Sequence, residues 1–125
     1  MQWQFINDIP IYQQIIDKIK RSVLAGDYPP GGRLPSVRDM AATAGVNPNT
    51  MQRALSELEK ENLIFVQRTN GRFVTEDKTM IANLRKQIAE NEINRFILNM
   101  NNLGYQKAEL IDLMQSIIKE MGTCQ

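Results

Sequence analysis

Between residues 47 and 53 the chain reads Asn-Pro-Asn-Thr-Met-Gln-Arg. Side-chain amides set a donor beside an acceptor, arginine offers a planar fork of donors, and threonine couples a hydroxyl to a methyl. This is chemistry for reading a flat hydrogen-bonding edge, not for breaking a bond. In the major groove of DNA, Asn or Gln can bond bidentately to adenine, Arg to guanine or phosphate, and Thr can turn its methyl toward thymine. Asn49, Thr50, Gln52 and Arg53 suit that task if they stand at the start of a helix. A helix fits the groove, and the backbone N–H groups at its N-terminus attract phosphate. Any one of the four alone would pass for ordinary helix surface; their grouping points to nucleic acid. Just upstream, Arg33 and Arg38 flank Leu34-Pro35-Ser36, and an arginine one turn into a helix can reach a neighbouring phosphate. The competing expectation for Arg38 is an ion pair with Asp39 or a carboxylate of the next helix.

The rest of the composition removes most catalysts. The 125 residues contain no histidine, the commonest general base and metal ligand, so serine–histidine chemistry and histidine zinc sites are excluded. One cysteine, Cys124, stands second from the end and can form neither an intrachain disulfide nor a Cys-rich zinc site; a free tail thiol is expected. Pro30-Gly31-Gly32 lacks the lysine and spacing of a phosphate-binding loop and reads as a turn. Carboxylates fall mostly beside lysine or arginine on helix faces, as solvated charge does. No enzyme, cofactor or metal is expected. Neither a signal peptide nor an apolar run long enough for a membrane span is found, so the expectation is a cytoplasmic protein. A net charge of +1 does not announce a nucleic-acid binder, so the case rests on arrangement.

The elements that must position these residues follow from periodicity. Ile11, Ile15, Ile16, Ile19, Val23 and Leu24 form one apolar face of a helix over about 10–25, with Pro10 in its first turn. The segment from Ala25 to Gly32, with its paired prolines and glycines, predicts a turn-rich loop. Ser36 followed by Asp39 has the form of a capping box for a short second helix with Val37, Met40, Ala41 and Ala44 inward. Gly45 closes it, Val46 plugs the turn, and Asn47-Pro48 caps and opens a third helix with Met51, Ala54, Leu55 and Leu58 buried. Two helices joined by so short a turn make a helix-turn-helix. Then come Leu63 to Arg68, a Thr69-Asn70-Gly71 turn, and Arg72 to Thr75, a β-hairpin signal that converts the unit into a winged helix. Asn70 and Gly71 could enter the minor groove, with Arg68 and Arg72 on the backbone. A solvated hairpin tip is the alternative.

From Asp77 the pattern is two more helices, about 78–102 and 107–121. The first carries Ile81, Leu84, Ile88, Ile93, Phe96, Ile97 and Met100; the second carries Leu110, Ile111, Leu113, Met114, Ile117, Ile118 and Met121. Faces this wide exceed what two helices cover for each other, so a second copy of the chain is expected over them. The chain therefore divides into a winged helix-turn-helix domain at 1–76 and a two-helix dimerisation region at 77–125. The fold class is mainly α with a small β-hairpin.

The run from Pro10 to Ile15 (Pro-Ile-Tyr-Gln-Gln-Ile), Gly26, the run from Pro30 to Ala41 and the run from Gly45 to Leu55 together resemble the GntR family of bacterial transcription regulators over residues 9–75. The Asn-Pro-Asn-Thr helix start and the short tail look like its YtrA subfamily. That resemblance implies a tail that dimerises and a repressor of its own or a neighbouring operon, often one holding ATP-driven transporter genes. The DNA-contacting positions it implies are Arg38, Asn47, Asn49, Thr50, Gln52, Arg53, Asn70 and Gly71; with Arg33, Ser36, Arg68 and Arg72 they form the candidate interface with an inverted-repeat duplex. Many members carry arginine where Pro48 and Gln52 stand here, so their operator preference does not transfer. The tail has no room for the larger ligand-binding domains of other branches. A small apolar effector between tail helices near Phe96, Met100 or Met114 is one expectation, core packing of those side chains the other. The alternative function is a winged helix that binds protein without sequence-specific DNA recognition.

Overall fold

The computed structural model describes residues 3–123. Cys124 lies outside the described residues. Five helices and one hairpin follow in the order α1 (Ile11–Ala25), α2 (Val37–Ala44), α3 (Pro48–Lys60), β1 (Ile64–Gln67), β2 (Gly71–Val74), α4 (Lys78–Asn102) and α5 (Lys107–Thr123).

Local signals set the helix boundaries. Gly26 takes a left-handed φ of 88° and turns α1 off, its N–H and that of Asp27 closing on the carbonyls of Val23 and Ser22. Ile15, Ile19 and Val23 are buried as the periodicity predicts, while Ile11 is exposed at the first turn. The segment before α1 is fastened by Gln14. Its amide donates to the carbonyls of Ile6 and Ile9 at 2.8 and 2.7 Å, and its oxygen accepts from the Ile6 N–H at 2.9 Å. Trp3 and Phe5 thereby pack on the core. Ser36 Oγ accepts the Asp39 N–H at 3.1 Å, and Asn47 Oδ1 accepts the Asn49 N–H at 2.8 Å. Each satisfies a backbone donor that a helix start would otherwise leave open.

α1, α2 and α3 enclose Ile15, Ile19, Met40, Met51, Leu55 and Leu58, and Leu63, Ile64 and Val74 close the core from the wing. The strands pair antiparallel in the register Ile64↔Val74, Phe65↔Phe73, Val66↔Arg72, Gln67↔Gly71. The loop is therefore Arg68-Thr69-Asn70, one residue earlier than the sequence suggests, and Gly71 begins β2 with φ 98°. A three-residue hairpin loop takes a left-handed residue at its end, and glycine supplies it without strain.

Residues 31–34, at the end of the turn-rich loop and the entry to α2, make contacts that the sequence does not reveal. Gly31 N–H donates to Val74 O at 3.0 Å, Val74 N–H to Gly32 O at 2.9 Å and Leu34 N–H to Arg72 O at 2.9 Å, with a bridge between Arg33 and Phe73. The segment runs along the free edge of β2 through one isolated bridge and these hydrogen bonds. Leu34, which it delivers into the core, is 2% exposed, and its buried backbone needs these partners.

Contacts divide the chain into two compact units at Arg85/Lys86. Ile81 and Leu84, expected on a dimer face, are partly buried against the winged-helix core, and the first turns of α4 fall in that unit. In the second unit, Gly104 with φ 94° ends α4, and Glu109 caps the next helix by accepting the Gln106 N–H at 3.1 Å. Leu110 is buried between the two helices; Ile88 and Met100 are half-buried. Phe96, Ile97, Met114, Ile117 and Ile118 remain exposed. No helix of the described residues is long and apolar enough to cross a membrane.

Candidate nucleic-acid interface

The helix-turn-helix leaves most of the predicted polar residues exposed. Pro48 opens α3 at a position where no N–H is needed, and Asn47 holds that end. Asn49, Gln52 and Arg53 are exposed on the helix, and Thr50 is half-covered. Gln52 donates to Ser56 Oγ at 3.3 Å one turn on. Asn47 and Ser36 are both exposed, and each uses its side-chain oxygen in a cap while its amide N–H groups or hydroxyl proton can reach another partner.

The arginines separate into two groups. Arg33, Arg38, Arg53 and Arg68 are exposed, and none makes an ion pair with a described residue. The intramolecular pair considered for Arg38 is absent there. Arg72 is different. Its Nε donates to Glu59 Oε1 at 2.6 Å, with both side chains mostly covered. Strand alternation explains this: Arg72 shares a face of β2 with buried Val74, so it turns toward α3 and away from the wing tip. In the structure Arg72, which the sequence offered for a DNA backbone, clamps the wing to α3. The opposite face of the hairpin carries Phe65 stacked on Phe73, centroids 5.8 Å apart.

At the wing tip, Asn70 and Arg68 are exposed, and Asn70 reaches back to Gln67 Oε1 at 3.4 Å. Arg33 lies along Gly71, its Nε 3.3 Å from where a Cβ would stand. A contact that local periodicity does not reveal joins Arg53 to α1: its guanidinium carbon sits 3.7 Å over the ring centroid of Tyr12. Glu59 and Tyr12 are the two residues sequence reading missed, because both partnerships join separate elements.

In the second unit a groove of about 720 Å³ is lined by Ile93, Phe96, Ile97, Leu110, Ile111 and Met114 among others. Phe96 and Met114 thus border it, whereas Met100 does not. No group of three His, Cys, Asp or Glu among the described residues is placed to hold a metal ion.

A capped, polar recognition-type helix, exposed arginines and a two-stranded wing define a winged helix-turn-helix of the DNA-binding class. Residues 11–74 match the bacterial regulatory proteins of the gntR family. The chain is 36% identical over 112 residues to the HTH-type transcriptional regulator YhcF of Bacillus subtilis, covering 90% of this chain and 93% of that one. It is 33% identical over 109 residues to the HTH-type transcriptional repressor YtrA of the same organism, covering 86% and 84%. Among solved structures, a GntR family transcriptional regulator from Listeria monocytogenes superposes with a TM-score of 0.82 at 38% identity, covering 90% of this chain and 98% of that one. The chain belongs to the GntR family and is a transcription regulator with a DNA-binding helix-turn-helix, not an enzyme.

Proposed function

We propose that the chain acts in the cytoplasm as a homodimeric repressor of its own or a neighbouring operon, one with transporter genes being the first candidate. α3 enters the major groove, with Asn49, Thr50, Gln52 and Arg53 at base edges and Arg33, Arg38 and Arg68 on phosphates. The remaining N–H groups of Asn47 and the Ser36 hydroxyl face the backbone, and Asn70 with Gly71 reaches the minor groove. Arg72 holds the wing instead of touching DNA. The observation that carries this reading is that Arg33, Arg38, Arg53 and Arg68 are exposed without a carboxylate partner among the described residues, while Asn47 caps the start of α3. Exposed cations left uncompensated release condensed counterions when they meet phosphate. The relative named a repressor, similar along most of both chains, supports the sign of regulation.

Exposed Phe96, Ile97, Met114, Ile117 and Ile118 support pairing of the tail with a second copy. Two winged helices related by a two-fold axis would then read an inverted repeat, half-sites one helical turn or more apart. Release from DNA requires an effector that prefers one dimer state, and an apolar compound seated in the tail groove is the form the lining supports. The test is a gel shift on the duplex upstream of the chain's own gene across a salt series. Sequence-selective binding that weakens steeply with salt is expected. Capture of a protein partner with no shift on any nearby promoter fragment would reverse the conclusion in favour of a protein-binding winged helix.

A further inference from the structure

Tyr12 stands in the second position of α1, outside the helix-turn-helix proper, and is half-covered against the core. Arg53 stands on the exposed side of α3 with its guanidinium carbon 3.7 Å over the Tyr12 ring. At that separation the cation is in van der Waals contact with the π face, an attraction that increases as water is excluded. The ring accepts no classical hydrogen bond. It therefore fixes the guanidinium without neutralising it, in contrast to Glu59, which offsets the charge of Arg72 and accepts the hydrogen bond that its Nε–H donates. Arginine otherwise carries large rotamer freedom that is lost when it docks. A ring beneath it removes part of that freedom before DNA arrives.

We propose that Tyr12 is a specificity-determining positioning residue: its ring holds Arg53 at the recognition helix in the geometry with which it meets a base edge. This rests on the reading that α3 enters the major groove. The ring, not the hydroxyl, carries the effect, so the phenylalanine variant retains it. Replacement by leucine preserves bulk on α1 but frees Arg53. Arg53→Lys loses the planar fork and the stacked fit together.

The experiment uses the full chain and two duplexes: one recovered from a randomised pool by the wild-type protein, and a scrambled duplex of equal length. Binding is followed by fluorescence anisotropy for the wild type, Tyr12→Phe, Tyr12→Leu, Arg53→Ala and the Tyr12→Leu/Arg53→Ala pair, with circular dichroism confirming the fold. Tyr12→Phe is expected within about two-fold of wild type on the selected duplex, Tyr12→Leu about five- to ten-fold weaker there and nearly unchanged on the scrambled one. In the Arg53→Ala background the leucine change adds less than about two-fold, because its partner is already gone. In the free protein, ring-current shifts on the Arg53 side-chain protons should be present in wild type and Tyr12→Phe. Equal losses for Phe and Leu, or an undiminished Leu effect without Arg53, overturn the proposal. If Tyr12→Leu does not fold, loss of specificity or of the ring-current shifts in Tyr12→Phe overturns it instead. Recovery of no preferred duplex by the wild type removes the underlying reading as well, and so is told apart from these results.

Discussion

Arg72 and Glu59 join the wing to the recognition helix through one charge-assisted hydrogen bond of 2.6 Å. The two residues come from β2 and from the last turns of α3, and both are mostly shielded from solvent. Three of the other ion pairs around α1 and α3 are more exposed, the Lys20–Glu61 link between the two helices having a half-exposed carboxylate. The Arg72–Glu59 contact therefore contributes most among them to holding wing and helix in fixed relation.

Removing that link is expected to destabilise the winged helix by about 1–2 kcal/mol, between the values for exposed and for buried pairs. Glu59→Gln measured by urea unfolding should lower the midpoint with the slope unchanged. Arg72→Ala should cost a similar amount, and the double variant less than the sum. Strict additivity would mean that the two side chains are not coupled.

Salt dependence separates Arg38 from Arg72. Arg38 is exposed and unpaired, so Arg38→Ala should weaken DNA binding and reduce the slope of log affinity against log salt by about 0.9, one phosphate contact. Arg72→Ala should leave that slope near the wild-type value. Isothermal titrations at several salt concentrations decide it; a slope lowered by Arg72→Ala as much as by Arg38→Ala would put Arg72 back on the backbone.

The tail gives a third expectation. Phe96 and Ile117 are exposed while Leu110 is buried within the helix pair. Charging the first two, as Phe96→Glu with Ile117→Glu, should halve the mass in sedimentation experiments and leave helix content nearly unchanged. Binding to an inverted repeat should fall toward that of a single half-site. Dimers of undiminished stability would move the subunit contact elsewhere.

Tyr28 supplies a pH dependence. Burial, and secondarily the Asp27 carboxylate, push its phenol above the ordinary value of 10.0. In the unfolded chain the proton leaves near about pH 10, while the native state still holds it. Native protein then binds more protons than unfolded, so stability falls with rising pH across that interval. The contribution is complete below about pH 10 and is lost as pH rises through the folded value. Thermal melts should show a steeper alkaline decline for the wild type than for Tyr28→Phe; parallel declines would remove Tyr28 as the cause.

Much of this was legible in the residues. Ser36, Gly45 and the Asn47-Pro48 pair are local signals, acting over three or four positions, and they place α2 and α3 almost to the residue. The polar start of α3 was legible for the same reason. Partnerships made across the fold were not. The 31–34 segment pairs with residues about forty positions later and is too short to show alternation. Arg72 looks like a wing-tip cation until the register places it on the face of Val74. Ile81 and Leu84 sit on a continuous apolar helix stripe, and nothing in that stripe says that its first turns serve a different core.

β2 is paired on both sides, by β1 and by 31–34. A one-residue slip would break both sets of hydrogen bonds at once and expel Val74, which is 0% exposed. The wing consequently cannot slide along the molecule to adjust its aim. What stays open to variation is the exposed Arg68-Thr69-Asn70 loop, where residues can be exchanged or inserted without disturbing either set. Divergence between related regulators can then change how far the wing reaches while its direction is inherited intact.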